Sequence, residues 1–253
     1  MEIVLSDEQL EAIRLIKEFI TSEETAFSLV GSAGTGKTLI MNNLVKDLQQ
    51  VMRVELCAPT HKAKLVLQRA TGRECTTLHS LLALTPNLDI FELDFNDLIF
   101  KANEEKITIP KNGLVICDEA SMINDNLFNA LIKRCKERYT KILFVSDEKQ
   151  LRPVKSERES LVYTVNSQFR LTKIFRQSDK NALLPILEIL RNETIDYFPE
   201  KEGEEGSLLC EFDLKEFLKK YLKSIKVALE NKDILETKLA AYTNARVDLY
   251  NSL

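Results

Sequence analysis

The sequence is poor in the residues that build metal sites and disulfide scaffolds. Its 253 residues include two histidines, five cysteines, seven glycines and no tryptophan. The low histidine count and the lack of a C-x-x-C pair argue against a zinc site, and an odd number of cysteines without framework spacing argues for reduced thiols. No apolar run approaches the ~18 residues of a transmembrane helix. Residues 1–9 also lack the basic and then apolar order of a signal peptide. We therefore expect a cytoplasmic protein without membrane contact.

The charge balance gives little support to a protein that coats nucleic acid. The net charge is −4, and the 44% hydrophobic and 29% charged residues are ordinary for a globular domain. Local potential matters more than the total charge, so a local nucleic-acid-binding surface is not excluded. Glutamates are concentrated at residues 200–205, which we interpret as a solvated acidic loop.

Residues 31–38 read GSAGTGKT and match the phosphate-binding loop pattern G-x-x-x-x-G-K-[ST]. An apolar run at 26–30 predicts a buried strand before this P-loop, and helical spacing at 37–50 predicts a helix after it. Backbone N–H groups of such a loop surround phosphate oxygens at the positive end of the helix. The predicted nucleotide-binding residues are Gly31, Ser32, Ala33, Gly34, Thr35, Gly36, Lys37 and Thr38. Lys37 would reach the β- and γ-phosphates, and the Thr38 hydroxyl would bind Mg²⁺.

A second acidic motif follows an apolar strand in LVICDEAS, residues 114–121. We expect Asp118 to bind Mg²⁺, and Glu119 to orient and deprotonate the attacking water. The alternative interpretation is a solvated acidic pair at the end of a strand. The complete P-loop earlier in the chain favours the metal and catalytic roles.

Two further residues follow strands whose carboxyl ends would lie near the γ-phosphate. Gln150, in SDEKQLRPV, is our candidate γ-phosphate sensor, although a surface glutamine in a turn fits the same position. Arg176, in LTKIFRQ, is a candidate arginine finger that neutralises charge on the transferred phosphoryl group. From spacing alone, a structural or surface arginine explains that position as well.

Polar clusters also follow other strand ends, at residues 59–62 (PTHK) and 76–79 (TTLH). Hydroxyls, imidazoles and helix N-termini are groups that hold a phosphodiester backbone. The alternative role is helix capping, in which Thr60 and Thr76 act as N-cap residues. Both roles can hold at once.

Strand and helix signals alternate along the chain and predict an α/β fold with a parallel sheet covered on both faces. Strands are predicted at 26–30, 54–58, 114–118, 141–146 and 168–172, with helices at 6–20, 37–50, 61–71, 77–83 and 124–138. Ser6 and Gln9 fit a capping box at the first helix. Alternating stretches at 89–95 and 106–109 predict a β-hairpin in an insertion at 86–110. Later signals predict helices at 181–192 and 214–229, a strand at 238–242 and a helix start at 244.

Together, these segments resemble superfamily I DNA helicases of the RecD-like and Dda-like branch. The segments that carry the resemblance are LSDEQLEAI, GSAGTGKT, APTHKAK, TTLHSLL, CDEAS, SDEKQLRPV, FRLTKIFRQ and AYTNARVDLYN, in the family's order. The resemblance implies a RecA-like P-loop NTPase sheet at 1–178, with a small hairpin subdomain at 86–110. It also implies the start of a second RecA-like domain at 179–253.

The resemblance further implies ATP and Mg²⁺ as cofactors and 5′→3′ movement on single-stranded DNA. Gln9 would contact the adenine, and Arg176 the γ-phosphate. The residues implied in DNA binding are Pro59, Thr60, His61, Thr77 and His79, and the candidate hairpin tip residues are Phe91, Phe95 and Phe100. Replication or repair proteins are the further partners that the resemblance suggests.

The sequence departs from the family pattern in two ways. Ser146 stands where the family has glycine, and the family's motifs V and VI do not occur. We therefore expect residues 179–253 to be a fragment of the second motor domain, in a chain that hydrolyses ATP poorly and does not unwind DNA alone. An ATP-regulated DNA- or protein-binding module is the alternative. A different P-loop enzyme, such as a nucleotide kinase, is a third interpretation, and APTHKAK counts against it.

Overall fold

Six parallel strands form the main sheet of the computed structural model, which describes residues 5–86, 100–102, 107–150, 153, 158–175 and 214–230. The strands of the described residues are β1 (Ala26–Gly31), β2 (Val54–Ala58), β3 (Thr76–Thr77), β4 (Leu84–Pro86), β5 (Phe100–Ala102), β6 (Leu114–Cys117), β7 (Lys141–Ser146) and β8 (Ser167–Leu171). The main sheet has the order β3-β2-β6-β7-β1-β8, and every pair in it is parallel. The predicted α/β fold with a parallel sheet is confirmed.

Helices connect these strands, as the alternating pattern predicted. The described helices are α1 (Asp7–Thr21), α2 (Lys37–Leu48), α3 (His61–Thr71), α4 (Leu78–Leu81), α5 (Asp125–Glu137) and α6 (Leu214–Glu230). The predicted capping box is confirmed, because Ser6 accepts from the Gln9 backbone while the Gln9 side chain accepts from Ser6. The prediction at 77–83 was too long, since α4 covers a single turn.

The sheet separates two layers of buried side chains. Leu143 and Val145 of β7 face one layer, while Ile142 and Phe144 face the other. Helices α1 and α2 bury residues in the first layer, and α5 buries Leu131 in the second. The alternation along one strand therefore shows that both faces of the sheet are covered.

Two short strands pair at the predicted insertion, and they consist of other residues than the two predicted stretches. Strands β4 and β5 pair antiparallel, with Pro86 opposite Phe100. The predicted strand at 106–109 is wrong, because residues 107–110 form no strand. Ile107 and Ile109 are buried in the second core layer, so their alternation reflects core packing and not a sheet. The Arg138 side chain donates to the Ile109 carbonyl at 2.7 Å and holds this segment in place.

The chain divides into two units, Met1–Gln177 and Ser178–Leu253, which are described separately. The described part of the second unit is α6, which matches the helix predicted at 214–229. The stretches predicted at 89–95, 181–192, 238–242 and 244 lie outside the described residues, as do Phe91 and Phe95. The assignment of 179–253 to a second RecA-like domain stays a prediction.

Neither membrane spans nor disulfides occur within the described ranges. No helix there is long and apolar enough to cross a membrane. Cys57, Cys75, Cys117 and Cys135 are free thiols, and all but Cys75 are buried. Burial raises the pKa of Cys135 to about 12, so this thiol stays protonated and unreactive near neutral pH.

Replacing leucine by alanine should affect stability differently at a buried and at an exposed position. Leu143→Ala, in the fully buried centre of the sheet, should lower the free energy of unfolding by about 2–5 kcal/mol because it leaves a cavity. Leu65→Ala is the matched control, since Leu65 is 53% exposed on α3. Urea denaturation followed by far-UV circular dichroism measures both. Equal losses would contradict the core assignment.

Candidate nucleotide-binding and hydrolysis site

The carboxyl ends of the parallel strands meet at one edge of the sheet, and the predicted site residues follow them. The P-loop follows β1, Thr60 follows β2, and Asp118 follows β6. Val30 of β1 is opposite Ser146 of β7, which brings the loop after β7 beside the P-loop. The shared strand direction therefore gathers motifs that lie far apart in the sequence.

Two glycines give the P-loop its shape. Gly34 and Gly36 both have φ of +89°, a left-handed conformation that other residues adopt at a cost. Gly36 occupies the N-cap position of α2, so the helix begins directly at Lys37. The Lys37 ammonium group donates to the carbonyls of Gly31 at 2.6 Å and Ser32 at 3.0 Å. The lysine charge is therefore held at the loop, where phosphates would be bound.

The Gln9 side chain packs directly on the P-loop. Its Nε2 donates to the Thr35 carbonyl at 3.0 Å, and its Oε1 accepts from the Ser6 backbone at 3.0 Å. A Cβ atom at Gly36 would lie 2.2 Å from Gln9 Nε2. In the structure, Gln9 therefore supports the loop. Its predicted adenine contact stays a prediction.

The start of the loop is packed equally tightly against β8. A Cβ atom on Gly31 would lie 2.7 Å from the Thr35 hydroxyl oxygen and 3.0 Å from the Leu171 Cβ. Thr35 itself is fully buried, and its hydroxyl donates to the Ser32 carbonyl at 2.9 Å. Glycine at 31 is thus required by close approach and not by a left-handed backbone.

Asp147 is a site residue that the sequence interpretation did not assign. Its side chain is 3% exposed, and Oδ2 accepts from the Ala33 N–H at 2.9 Å. Oδ1 accepts from the Lys149 N–H at 3.0 Å. The carboxylate therefore links the P-loop to the turn that carries Gln150. Its position just after β7 was the available signal, because polar residues at that edge are candidates for the site.

Asp118 and Glu119 lie together at the end of β6. Burial, and then the negative charge of Glu119, raise the pKa of Asp118 to about 6, against the opposing effects of the Glu119 N–H and Lys37. The Glu119 N–H donates to Asp118 Oδ1 at 3.0 Å. Gln150 Nε2 lies 3.5 Å from Glu119 Oε1, so the predicted sensor and the predicted base are neighbours. A cavity of about 560 Å³ is lined by both of them and by Thr60.

The residues present fit a magnesium ion held partly by nucleotide phosphates. Mg²⁺ is usually bound by one or two carboxylates together with phosphates and water. The raised pKa of Asp118 marks a carboxylate short of positive charge, which a divalent cation would supply. Within the described residues, no group of three or more histidine, cysteine or acidic side chains is placed to hold a metal alone. Thr38 and Asp118 remain the candidate ligands.

The two polar clusters predicted to contact DNA are brought side by side. Ala58 of β2 is opposite Thr77 of β3, so residues 59–61 lie next to residues 77–79. Both threonines cap helices: Thr60 accepts from the Ala63 N–H at 3.1 Å, and Thr77 from the Ser80 N–H at 3.2 Å. The capping alternative is thus confirmed for Thr60. For the second cluster the cap is Thr77, not Thr76, because α4 begins at Leu78 and Thr77 directly precedes it.

The two histidines of this region lie close enough to interact. Burial, and then the charge of His61, lower the pKa of His79. This proximity joins the two clusters into one polar edge. The DNA contacts assigned to Pro59, Thr60, His61, Thr77 and His79 stay predictions.

Arg176 lies outside the described residues, but the segment before it reaches the P-loop. The Phe175 N–H donates to the Gly34 carbonyl at 2.8 Å. The γ-phosphate contact of Arg176 stays a prediction.

Comparison with known proteins gives the family. The AAA domain family matches residues 4–204. The chain is 29% identical over 259 residues to the ATP-dependent DNA helicase dda of Enterobacteria phage T4, which covers 98% of this chain and 56% of that protein. It is 32% identical over 159 residues to the ATP-dependent RecD2 DNA helicase of Deinococcus radiodurans, covering 62% of this chain and 20% of the relative. The chain belongs to the AAA domain family, and it is similar to superfamily I DNA helicases of the Pif1, RecD and Dda type.

A solved structure supports the fold of this chain. The Pif1 helicase from Bacteroides in complex with ADP-AlF3 and ssDNA has a TM-score of 0.52 and 24% identity, covering 76% of this chain and 47% of that one. The family model and the relatives confirm the resemblance deduced from the motifs, and this structure confirms the fold. This chain spans about half the length of the phage relative, 56%.

Two glycines offer a matched test of the P-loop packing. Gly36→Ala and Gly72→Ala each place a side chain in a left-handed conformation, at a cost of about 1–2 kcal/mol. Only Gly36→Ala also drives a Cβ atom into Gln9, since nothing lies within 4 Å at Gly72. Titration with a fluorescent ATP analogue should show an affinity loss of about tenfold or more for Gly36→Ala alone. A similar loss in both variants would contradict the packing argument.

Proposed function

We propose that this chain carries the ATP-hydrolysing motor domain of an ATP-dependent DNA helicase that moves 5′→3′ on single-stranded DNA. The observation that carries the proposal is the gathering of the P-loop, Asp118, Glu119 and Gln150 at one edge of the sheet. The clusters at 59–61 and 77–79 follow strands of the same edge. Residues at the same edge of the sheet would thus hydrolyse ATP and bind single-stranded DNA.

The P-loop and α2 would hold the nucleotide. Loop N–H groups and the N-terminus of α2 would bind the phosphate oxygens, and Lys37 would move from the loop carbonyls to the β- and γ-phosphates. Thr38 and Asp118 would hold Mg²⁺, which supplies positive charge to the phosphates when bound. The bound Pif1 structure, which contains ADP-AlF3, supports nucleotide use at such a site.

Glu119 would act as the general base for hydrolysis. Its carboxylate would accept a proton from the attacking water, and Gln150, 3.5 Å away, would orient that water against the γ-phosphate. Arg176 would balance the charge that develops on the transferred phosphoryl group. The hydrogen bond from Phe175 to Gly34 supports this role, because it holds the residue just before Arg176 at the tip of the P-loop.

The coupling of hydrolysis to DNA would run through β2 and the cavity beside Glu119. Thr60 begins the polar DNA edge and also lines that cavity with Gln150. Loss of the γ-phosphate would therefore shift Thr60, a proposed DNA contact. The relatives named as DNA helicases and the ssDNA in the Pif1 structure support this substrate, and the RecD-like and Dda-like motifs support the 5′→3′ direction.

Replacing the proposed base separates hydrolysis from binding. Glu119→Gln should keep ATP affinity within about twofold but lower the rate of single-stranded-DNA-stimulated phosphate release by about 10²-fold or more. Glu23→Gln, at an exposed turn residue, is the control and should leave the rate unchanged. A phosphate-release assay measures the rates. Normal hydrolysis by Glu119→Gln would remove this residue from the mechanism, and ATP binding without any hydrolysis by the unchanged chain would favour a binding module.

The DNA edge is tested with a single-stranded oligonucleotide. His61→Ala should weaken binding two- to tenfold, the effect of about one lost hydrogen bond, while Gln68→Ala, exposed on the same helix, should not. Fluorescence anisotropy at increasing salt should show a steep loss of affinity for the unchanged chain. Because the 253-residue chain is expected not to unwind DNA alone, direction is tested on this chain joined to a second motor domain that carries motifs V and VI. In that protein, unwinding of duplexes that requires a 3′ and not a 5′ single-stranded tail would contradict the proposal.

A further inference from the structure

Glu8 makes three hydrogen bonds to a segment that lies far away in the sequence. Its Oε1 accepts from the Thr172 N–H at 2.9 Å and from the Thr172 hydroxyl at 2.8 Å, and Oε2 accepts from the Lys173 N–H at 3.1 Å. Burial alone would raise the pKa of Glu8, but these hydrogen bonds and the Lys173 charge leave the pKa below its ordinary value. The carboxylate is therefore ionised at neutral pH and bonded through both oxygens.

The bonded segment continues onto the P-loop. Two residues after Lys173, the Phe175 N–H donates to the Gly34 carbonyl at 2.8 Å. The Lys173 ammonium group lies 5.1 Å above the centre of the Phe175 ring, which stiffens the link between the two contacts. Residues 172–175 are thus tied to α1 at one end and to the tip of the P-loop at the other.

The same turn of α1 holds the P-loop from a second side. Gln9, the neighbour of Glu8, donates to the Thr35 carbonyl at 3.0 Å. The turn itself is rigid, because the Ser6 capping box closes it and Ala12 and Ile16 further along α1 are fully buried. Two adjacent side chains on one fixed turn therefore reach the loop, one directly and one through residues 172–175.

We propose that Glu8 is a positioning residue that holds residues 172–175 across the tip of the P-loop and so fixes the loop for phosphate binding. Glu8 acts through Gly34 and does not itself touch the nucleotide. The inference rests on the proposed function only in taking the P-loop to bind ATP. Loss of the Glu8 carboxylate should release the segment at Thr172 and Lys173 first, and then loosen Phe175 and the loop.

Glu8→Gln tests this in the 253-residue chain, with Glu8→Ala as the stronger variant. Glu11→Gln is the matched control, because Glu11 lies one turn along the same helix and its carboxylate bonds to Arg14 of that helix. Hydrogen–deuterium exchange without nucleotide should speed up two- to tenfold at Thr172, Lys173 and Phe175 and in residues 31–36 of Glu8→Gln. The dissociation constant of a fluorescent ATP analogue should rise by a similar factor. Thermal denaturation checks that the fold is kept.

Faster exchange confined to Thr172 and Lys173, with unchanged loop exchange and unchanged nucleotide affinity, would overturn the inference and leave Glu8 a local brace. Unchanged exchange throughout would overturn it as well. Failure of the proposed function appears differently, as a lack of ATP binding by the unaltered chain. The exchange measurement needs no nucleotide and therefore reports on Glu8 in either case.

Discussion

The contact between Gly36 and the Gln9 side chain is the constraint on which the nucleotide site depends. The left-handed backbone of Gly36 ends the loop and starts α2, and Gln9 closes the space where any side chain would lie. The Gln9 side chain thereby lies against the residue from which α2, with Lys37 and Thr38 in its first turn, begins. Gln9 belongs to α1, whose first turn is closed by a capping box. The P-loop is therefore supported by a well-ordered helix that precedes it in the chain.

The parallel sheet supplies the second half of the site. Its two core layers fix the strands from both faces, so the residues just beyond the strand ends have little freedom. Asp118 and Glu119 at the end of β6 and Asp147 at the end of β7 are held in this way. Three carboxylates near a phosphate loop are unfavourable unless each is compensated, and Asp147 is compensated by backbone N–H groups. Asp118 is less so, which its raised pKa reflects.

Local signals made most of this architecture predictable. The P-loop pattern, the capping box at Ser6 and the apolar strands each occupy a few consecutive residues, and the structure confirms them. Strand β3 was missed because two residues carry no periodic pattern, and Ile107 and Ile109 imitated a strand because core packing also favours alternation. Asp147 bonds to Ala33, which lies 114 positions away in the chain, and Glu8 bonds to Thr172, which lies 164 positions away. The end of a strand marked Asp147 as a candidate, but no local pattern shows either of these contacts.

The backbone of Glu119 has a consequence for how this protein can change. With φ of +54°, Glu119 sits in a conformation that favours glycine, and a side chain there costs about 1–2 kcal/mol of folding stability. Selection for thermal stability alone should therefore favour glycine at position 119, whereas selection for ATP hydrolysis should retain glutamate. Because the two kinds of selection favour different residues at position 119, the amino acid found there indicates which of them has been stronger.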